Sequence, residues 1–134
     1  MTMGETHPAM ANVAFLTFGF QADRVVHVVA VNRRTGRMVA MQSAAISGTR
    51  GRVFGTTRKS FWAILQLGVK KSALQQQFLR AFEEACRREG VRTLIGSVPT
   101  RLWQRSYRHW TGFRDTGHRE QSAVGERVVI EKRI

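Results

Sequence analysis

The stretch SALQQQFLRAFEEACRREGVRTLIGSVPTRLWQRSYRHWTGF, residues 72–113, decides the fold of this chain. Leu74, Phe78, Ala81, Phe82 and Ala85 recur at spacings of three and four, which predicts a helix with one apolar stripe. Ser72 and Gln75 have the spacing of a capping box at its start. Arg87 and Arg88 in the last turn oppose the negative end of the helix dipole, and Gly90 supplies a left-handed stop. Val91 to Val98, bounded by Gly90 and Pro99, is too short for an ordinary helix and reads as a strand buried beneath helices. A second helix, Arg101 to Thr111, carries Trp103, Tyr107 and Trp110 at i, i+4 and i+7, and Gly112 ends it. Helix, strand, helix and a further strand in that order require helices layered on a sheet.

Working upstream, Val25 to Val31 (VVHVVAV) is rich in β-branched residues and reads as a strand. The turn Asn32-Arg-Arg-Thr-Gly36 returns it through Arg37 to Ile46 as a hairpin. Ser47 to Arg52 forms a second turn, and a short strand over Arg52 to Gly55 extends the meander. Asn12 to Phe20 suits either a strand or a short helix. Thr56 to Val69 also fits both, with the balance towards a short helix stopped by Gly68. Downstream, two terminal strands are expected near Phe113 to Glu120 and Arg127 to Lys132, with a turn at Gly125. The expected architecture is α/β (α+β): a mixed, mostly antiparallel sheet with helices on its faces. The 134 residues suit one domain, with 1–24 as leader and first element and 25–134 as the domain proper.

Lys plus Arg number 22 against 9 acidic residues, giving +13. Such a surface attracts phosphate, whether in nucleic acid, in a nucleotide-bearing cofactor or on an acidic partner; the plainer reading is a solvated basic surface. Cys86 is the sole cysteine, so no intrachain disulfide forms and a reducing, cytoplasmic setting is expected. It lies on the apolar side of the first helix and reads as a core residue. No apolar run is long enough to span a membrane, and MTMGETHPAM lacks the basic n-region of a secretory signal. His109 and His118 have no acidic or cysteine partner at metal spacing, so no metal is expected. His27, between valines, reads as a structural histidine or as a base aimed into a cleft.

The order hairpin, central strand, long helix, strand, aromatic helix, Gly-Phe and two closing strands resembles the GNAT (Gcn5-related N-acetyltransferase) fold. LIGSVPTRLWQRSYRHWTGF carries the local likeness, and GERVVIEKR resembles the last family strand. The resemblance covers residues 25–134. A more distant one is to the GNAT-like internal virion proteins of short-tailed phages, in which a Gly-Thr, here Gly55-Thr56, follows a short strand. A virion location is the corresponding alternative to the cytoplasm.

The resemblance implies an acyl-CoA-dependent N-acyltransferase that moves an acetyl group from acetyl-CoA to an amine. In that family the cofactor's pyrophosphate rests on a Gly-rich loop at the start of the long helix, where backbone N–H groups and the helix dipole hold an anion. Here that position is Val69, Lys70, Lys71, Ser72 and Ala73, preceded by Gly68 alone rather than the family's R/Q-x-x-G-x-G/A. Lys70 and Lys71 would neutralise phosphate in place of the missing glycines. Arg50-Gly-Arg-Val-Phe-Gly55 imitates the motif but lies further upstream. Tyr107 sits near the family's proton donor to the leaving thiolate, with one residue more than usual before Gly112; a phenol of ordinary pKa ~10 suits that task. The plainer reading packs Tyr107 between Trp103 and Trp110.

The alternative function is a non-catalytic basic module of the same fold that binds nucleic acid or a partner protein. Arg101, Arg105 and Arg108 fall on successive helical turns and would pair phosphates while Trp103 and Trp110 stack on bases. Acidic proteins or nucleic acid are the partners expected on either reading.

Overall fold

The structure is a computed structural model that describes residues 12–20, 24–55 and 70–134. Seven strands form one sheet: β1 (Val13–Phe20), β2 (Val25–Asn32), β3 (Met38–Ser47), β4 (Arg50–Phe54), β5 (Thr93–Pro99), β6 (Arg114–Ser122) and β7 (Gly125–Arg133). Their spatial order is β1-β2-β3-β4-β5-β7-β6. Every neighbouring pair is antiparallel except β4 and β5, which run parallel and require a crossover. The mixed, mostly antiparallel sheet with helices packed on it is the architecture expected from the sequence.

The crossover contains α1 (Lys71–Arg88). Its stripe of Leu74, Phe78, Ala81, Phe82, Ala85 and Cys86 packs on Val26, Val28 and Ala30 of β2, Ala40 and Ala44 of β3, and Leu94 of β5. Its C-terminus closes as the sequence indicates: Gly90 at φ 85 donates to Arg87 O, and the Val91 N–H returns to Cys86 O. This double closure is the Schellman arrangement, completed by the burial of Val91. The N-terminus differs from expectation. The helix begins at Lys71, so Ser72 is already inside it with helical backbone, and no capping box forms. Lys70, extended at φ −70 and ψ 137, takes the cap position, and no side chain caps the helix.

The second helix, α2 (residues 100–110), is wound unevenly. Thr100–Leu102 and Arg108–Trp110 are α-helical, and Trp103–Tyr107 between them is a π-turn closed by the Arg108 N–H on Trp103 O. Trp103 is buried against Val128 and Ile130 of β7, with Val98, Tyr107 and Phe113 around it. Leu94, Gly96 and Val98 alternate onto one face of β5, so the two helices lie on that same face.

Asn12 to Phe20, open between two readings on sequence, contains β1, whose eight residues pair with β2 from Val13↔Asn32 to Phe20↔Val25. The β2–β3 hairpin is closed by the buried Asn32: its carbonyl accepts from Gly36 N and its side chain from Arg34 N. In the stretch Arg50 to Gly55, whose glycines imitate a phosphate loop, Arg50–Phe54 is strand β4. Thr56 to Val69 lies outside the described residues. Among the described residues, no helix is long and apolar enough to cross a membrane.

Candidate active site

The parallel strands β4 and β5 pair over only three positions: Arg50↔Thr93, Gly51↔Leu94 and Arg52↔Ile95. Beyond Arg52, β4 keeps only its β3 neighbour, through Ala44↔Val53 and Ser43↔Phe54. Beyond Ile95, β5 keeps only β7, from Gly96↔Ile130 to Pro99↔Arg127. The two central strands therefore part in a V, and their facing edges carry backbone groups with no strand partner among the described residues.

A cleft of about 100 Å³ occupies this divergence. Val53 and Gly96 flank it where the strands separate, and Ile130 lies beside Gly96. Gln75, Phe78, Leu79 and Phe82, on successive turns of α1, form one wall. Tyr107, Trp110 and Thr111 of α2 and its end form the other, with Phe113 and Gln42 completing the lining. Gln42 donates to Phe54 O at 2.8 Å, holding the end of β4. No described lining residue is an Asp, Glu or His.

Tyr107 closes the π-turn and is half-buried. Its ring meets Trp110 edge-to-face at 5.8 Å and 77°, and burial pushes its phenol above the ordinary tyrosine value. No described residue forms a hydrogen bond with its hydroxyl. The packing reading of Tyr107 is realised, since it packs on Trp110 and against the Trp103 cluster, and the residue lines the cleft as well. Behind it, Thr111 Oγ1 donates to Tyr107 O at 2.7 Å, and the buried Thr111 accepts in turn from Phe113 N. Lys132 Nζ donates to Thr111 O at 2.8 Å and to Glu83 Oε2 of α1 at 2.6 Å. This buried bridge fastens the end of α2 to α1 and β7.

The start of α1 stands at the same end of the sheet as the open side of the V: Val91, just past the helix's other end, packs beside Gly51 where β4 and β5 are still paired, and Gln75 near its start lines the cleft. Its first-turn N–H groups, on Lys71, Ser72 and Ala73, have no described acceptor, and the first turn holds no acidic residue. Lys70, Lys71 and Ser72 are exposed. Helix polarity, free donors and two cations make this end suited to a phosphate group. Val69 falls outside the described residues.

Other candidates lie elsewhere. Arg101, Arg105 and Arg108 are exposed on α2, Arg108 Nε being 3.3 Å from His109 Nε2. Trp103 is buried at 7% exposure and unavailable for stacking on bases, and Trp110 is half-buried with its indole N–H on Ser106 Oγ. The base-stacking expectation for Trp103 therefore fails, because the π-turn and Val128 hold that ring in the core. His27 sits on the sheet face away from the helices, its Nδ1 2.6 Å from Ser43 Oγ and its ring edge-on to Phe54. That is a structural setting outside the cleft lining. Cys86 is fully buried, and burial, reinforced by Glu83 and Glu89, pushes its thiol up to about 12. No cluster of three or more metal-ligating side chains gathers among the described residues.

Sequence reasoning missed Glu83, Lys132 and Gly96. Val128, Ile130 and Lys132 alternate, which places the lysine on the core-facing side of its strand. Its partner lies 49 residues away, so the pairing was not readable. Gly96, inside an apolar strand, is itself a sign of close approach.

By sequence the chain matches no family model and no curated protein. By structure it resembles acetyltransferases. An IAA acetyltransferase from Bacillus cereus is 9% identical, with 91% of this chain and 99% of that one covered at a TM-score of 0.63. A Desulfovibrio desulfuricans protein described with the acetyltransferases of the GNAT family is 11% identical, with 90% and 98% covered at 0.64. An aminoglycoside acetyltransferase solved with coenzyme A and kanamycin is 12% identical, with 83% and 67% covered at 0.55. The divergent parallel strands, the helix crossing between them and these likenesses agree: the chain has the GNAT fold, in a divergent form.

Proposed function

We propose that the protein is an acyl-CoA-dependent N-acyltransferase, transferring an acyl group, acetyl at its simplest, from the thioester to an amine. The observation that carries this reading is the cleft between the parting β4 and β5, which opens beside the uncapped start of α1 and has Tyr107 on its wall. The solved neighbour holding coenzyme A and kanamycin supports the choice of donor class.

The backbone N–H groups of Lys71, Ser72 and Ala73, with the Lys70 and Lys71 ammoniums and the preceding Val69, would receive the pyrophosphate. Acyl-CoA supplies an activated carbonyl and a thiolate leaving group. A backbone N–H on the edge of β4 without a described strand partner would stabilise the negative charge that develops on the carbonyl oxygen, and a fixed donor there costs no reorganisation during reaction. The acceptor nitrogen forms the new C–N bond as the C–S bond breaks. Tyr107 gives its proton to the departing sulfur, and its raised pKa keeps it protonated at neutral pH. The acceptor amine gives up one proton as the amide forms, which water or a base on the acceptor side can carry away. The exposed Arg101, Arg105 and Arg108 favour an acceptor, or a partner presenting it, that carries negative charge.

Release of free CoA, followed across a panel of small and acidic-peptide amines, tests the reading. Tyr107→Phe is expected to lower kcat by about 10²-fold while leaving the KM for acetyl-CoA in place. A kcat equal to wild type would remove Tyr107 from the chemistry.

A further inference from the structure

Outside β1, every described glycine but one has a visible reason to be glycine. Seven lie at positive φ, where other residues are strained. Gly51 is crowded instead: a Cβ there would stand 3.1 Å from Leu94 Cδ2 and 3.2 Å from Val91 Cγ1. Gly96 has neither reason. Its φ is outside the left-handed range, and a Cβ would meet Ile130 alone, at 3.5 and 3.8 Å, in ordinary contact. A buried strand position left without a side chain, and with space to hold one, marks a place where something else approaches the backbone.

That place is the inner end of the cleft. Gly96 is the first β5 residue past the last β4–β5 pair, and it faces the cavity with Val53, Phe82 and Ile130. Phe82 lies eleven residues along α1 from Lys71, or about 16 Å at the helical rise. An extended pantetheine arm spans such a length, so a thioester anchored by its pyrophosphate at Lys71 to Ala73 ends near Gly96. The described lining side chains beside Gly96, those of Val53, Phe82 and Ile130, are apolar. The space over Gly96 that a side chain would otherwise take is left open, with Ile130 alone in ordinary contact range, and an acyl chain longer than acetyl's single methyl would fill it.

We infer that Gly96 forms the floor of an acyl pocket that takes short straight-chain acyl groups longer than acetyl, of the propionyl and butyryl class. The inference rests on the acyl-CoA reading and adds to it the chain length of the donor. Each methylene entering the pocket leaves water for an apolar wall, which corresponds to about fourfold in affinity. Gly96→Ala places its methyl where the chain would lie, without backbone strain and without a clash against Ile130.

Calorimetric titration of wild type and Gly96→Ala with free CoA, acetyl-CoA, propionyl-CoA and butyryl-CoA tests it, with free CoA as the reference in each protein. In wild type, affinity should rise about fourfold per methylene, so that butyryl-CoA binds about sixteenfold more tightly than acetyl-CoA. In Gly96→Ala that advantage should collapse towards unity. Ile130→Val, which trims one methyl beside Gly96, should instead move the optimum to a longer chain, and this second variant serves if the alanine protein does not fold. A flat or falling wild-type series overturns the inference, as does a loss in Gly96→Ala shared equally by free CoA, since the arm itself would then pass Gly96. Absence of binding by every species, free CoA included, overturns the acyl-CoA reading beneath it and is thereby told apart from failure at the pocket.

Discussion

Tyr107 is the only tyrosine in the chain, so its ionisation can be followed without assignment. Burial disfavours the phenolate, and absorbance at 295 nm should titrate above the ordinary ~10 in the native protein and return to it in denaturant. A native midpoint at or below 10 would contradict the buried setting. Cys86 behaves in the same sense. Its thiol, raised from 9.0 to about 12, should be inert to Ellman's reagent at neutral pH until the protein unfolds. Because the folded-state pKa is the raised one, the stability linked to Cys86 is complete below pH 9 and falls away as pH climbs from 9 towards 12. Cys86→Ala should flatten that part of the stability profile in denaturant titrations; an unchanged slope would assign it to other groups. Both residues were readable in the sequence, since each falls on an apolar stripe at helical spacing. What the stripe did not reveal was which ring of α2 would be buried. Helical spacing gives Trp103, Tyr107 and Trp110 similar standing, whereas the π-turn sinks Trp103 into the core and leaves Tyr107 on the cleft wall.

Among the elements, the end of α2 is held by one bridge. Lys132 joins Glu83 of α1 to the carbonyl of Thr111, and Glu83 is only 6% exposed. Lys132→Met should therefore destabilise the protein by about 2–3 kcal/mol, by leaving the buried Glu83 carboxylate with only the longer Arg87 ion pair at 3.7 Å. Adding Glu83→Leu to that variant should recover part of the loss in a double-mutant cycle read by denaturant unfolding. Additive losses would show that the pair does not interact. Gly112 stands against the same lysine: it adopts φ 77, and a Cβ there would lie 3.0 Å from Lys132 Cε and Nζ. Gly112→Ala should cost about 1–2 kcal/mol from left-handed strain alone, checked by the same unfolding measurement, and more if the bridge is displaced. Gly112 announced the helix end in the sequence, as Gly90 did, because left-handed stops are local chemistry. The start of α1 escapes the same local logic: Ser72 and Gln75 have capping-box spacing, yet the cap position falls two residues earlier, at Lys70, and the first donors are left without a side-chain cap. That difference strengthens the phosphate reading, since a capping hydroxyl would have competed for those N–H groups.

The whole molecule was legible in its element order, because hairpin, crossover helix, aromatic helix and closing strands are each marked by pattern and turn chemistry. The V between β4 and β5 was not. It depends on a parallel pairing of three positions between segments some forty residues apart, and nothing local encodes where that pairing stops. Yet this divergence creates the cleft, and the cleft carries the functional reading. The net charge of +13 gives that reading a further consequence at this scale: affinity for a CoA thioester should weaken as salt rises. The most direct measurement is calorimetric titration of the wild-type protein with acetyl-CoA at low salt, repeated with Lys70→Glu plus Lys71→Glu. Saturable one-site binding that the double variant abolishes is the expected result. No heat at millimolar acetyl-CoA, or binding that the double variant leaves intact, would contradict a cofactor seated at the start of α1.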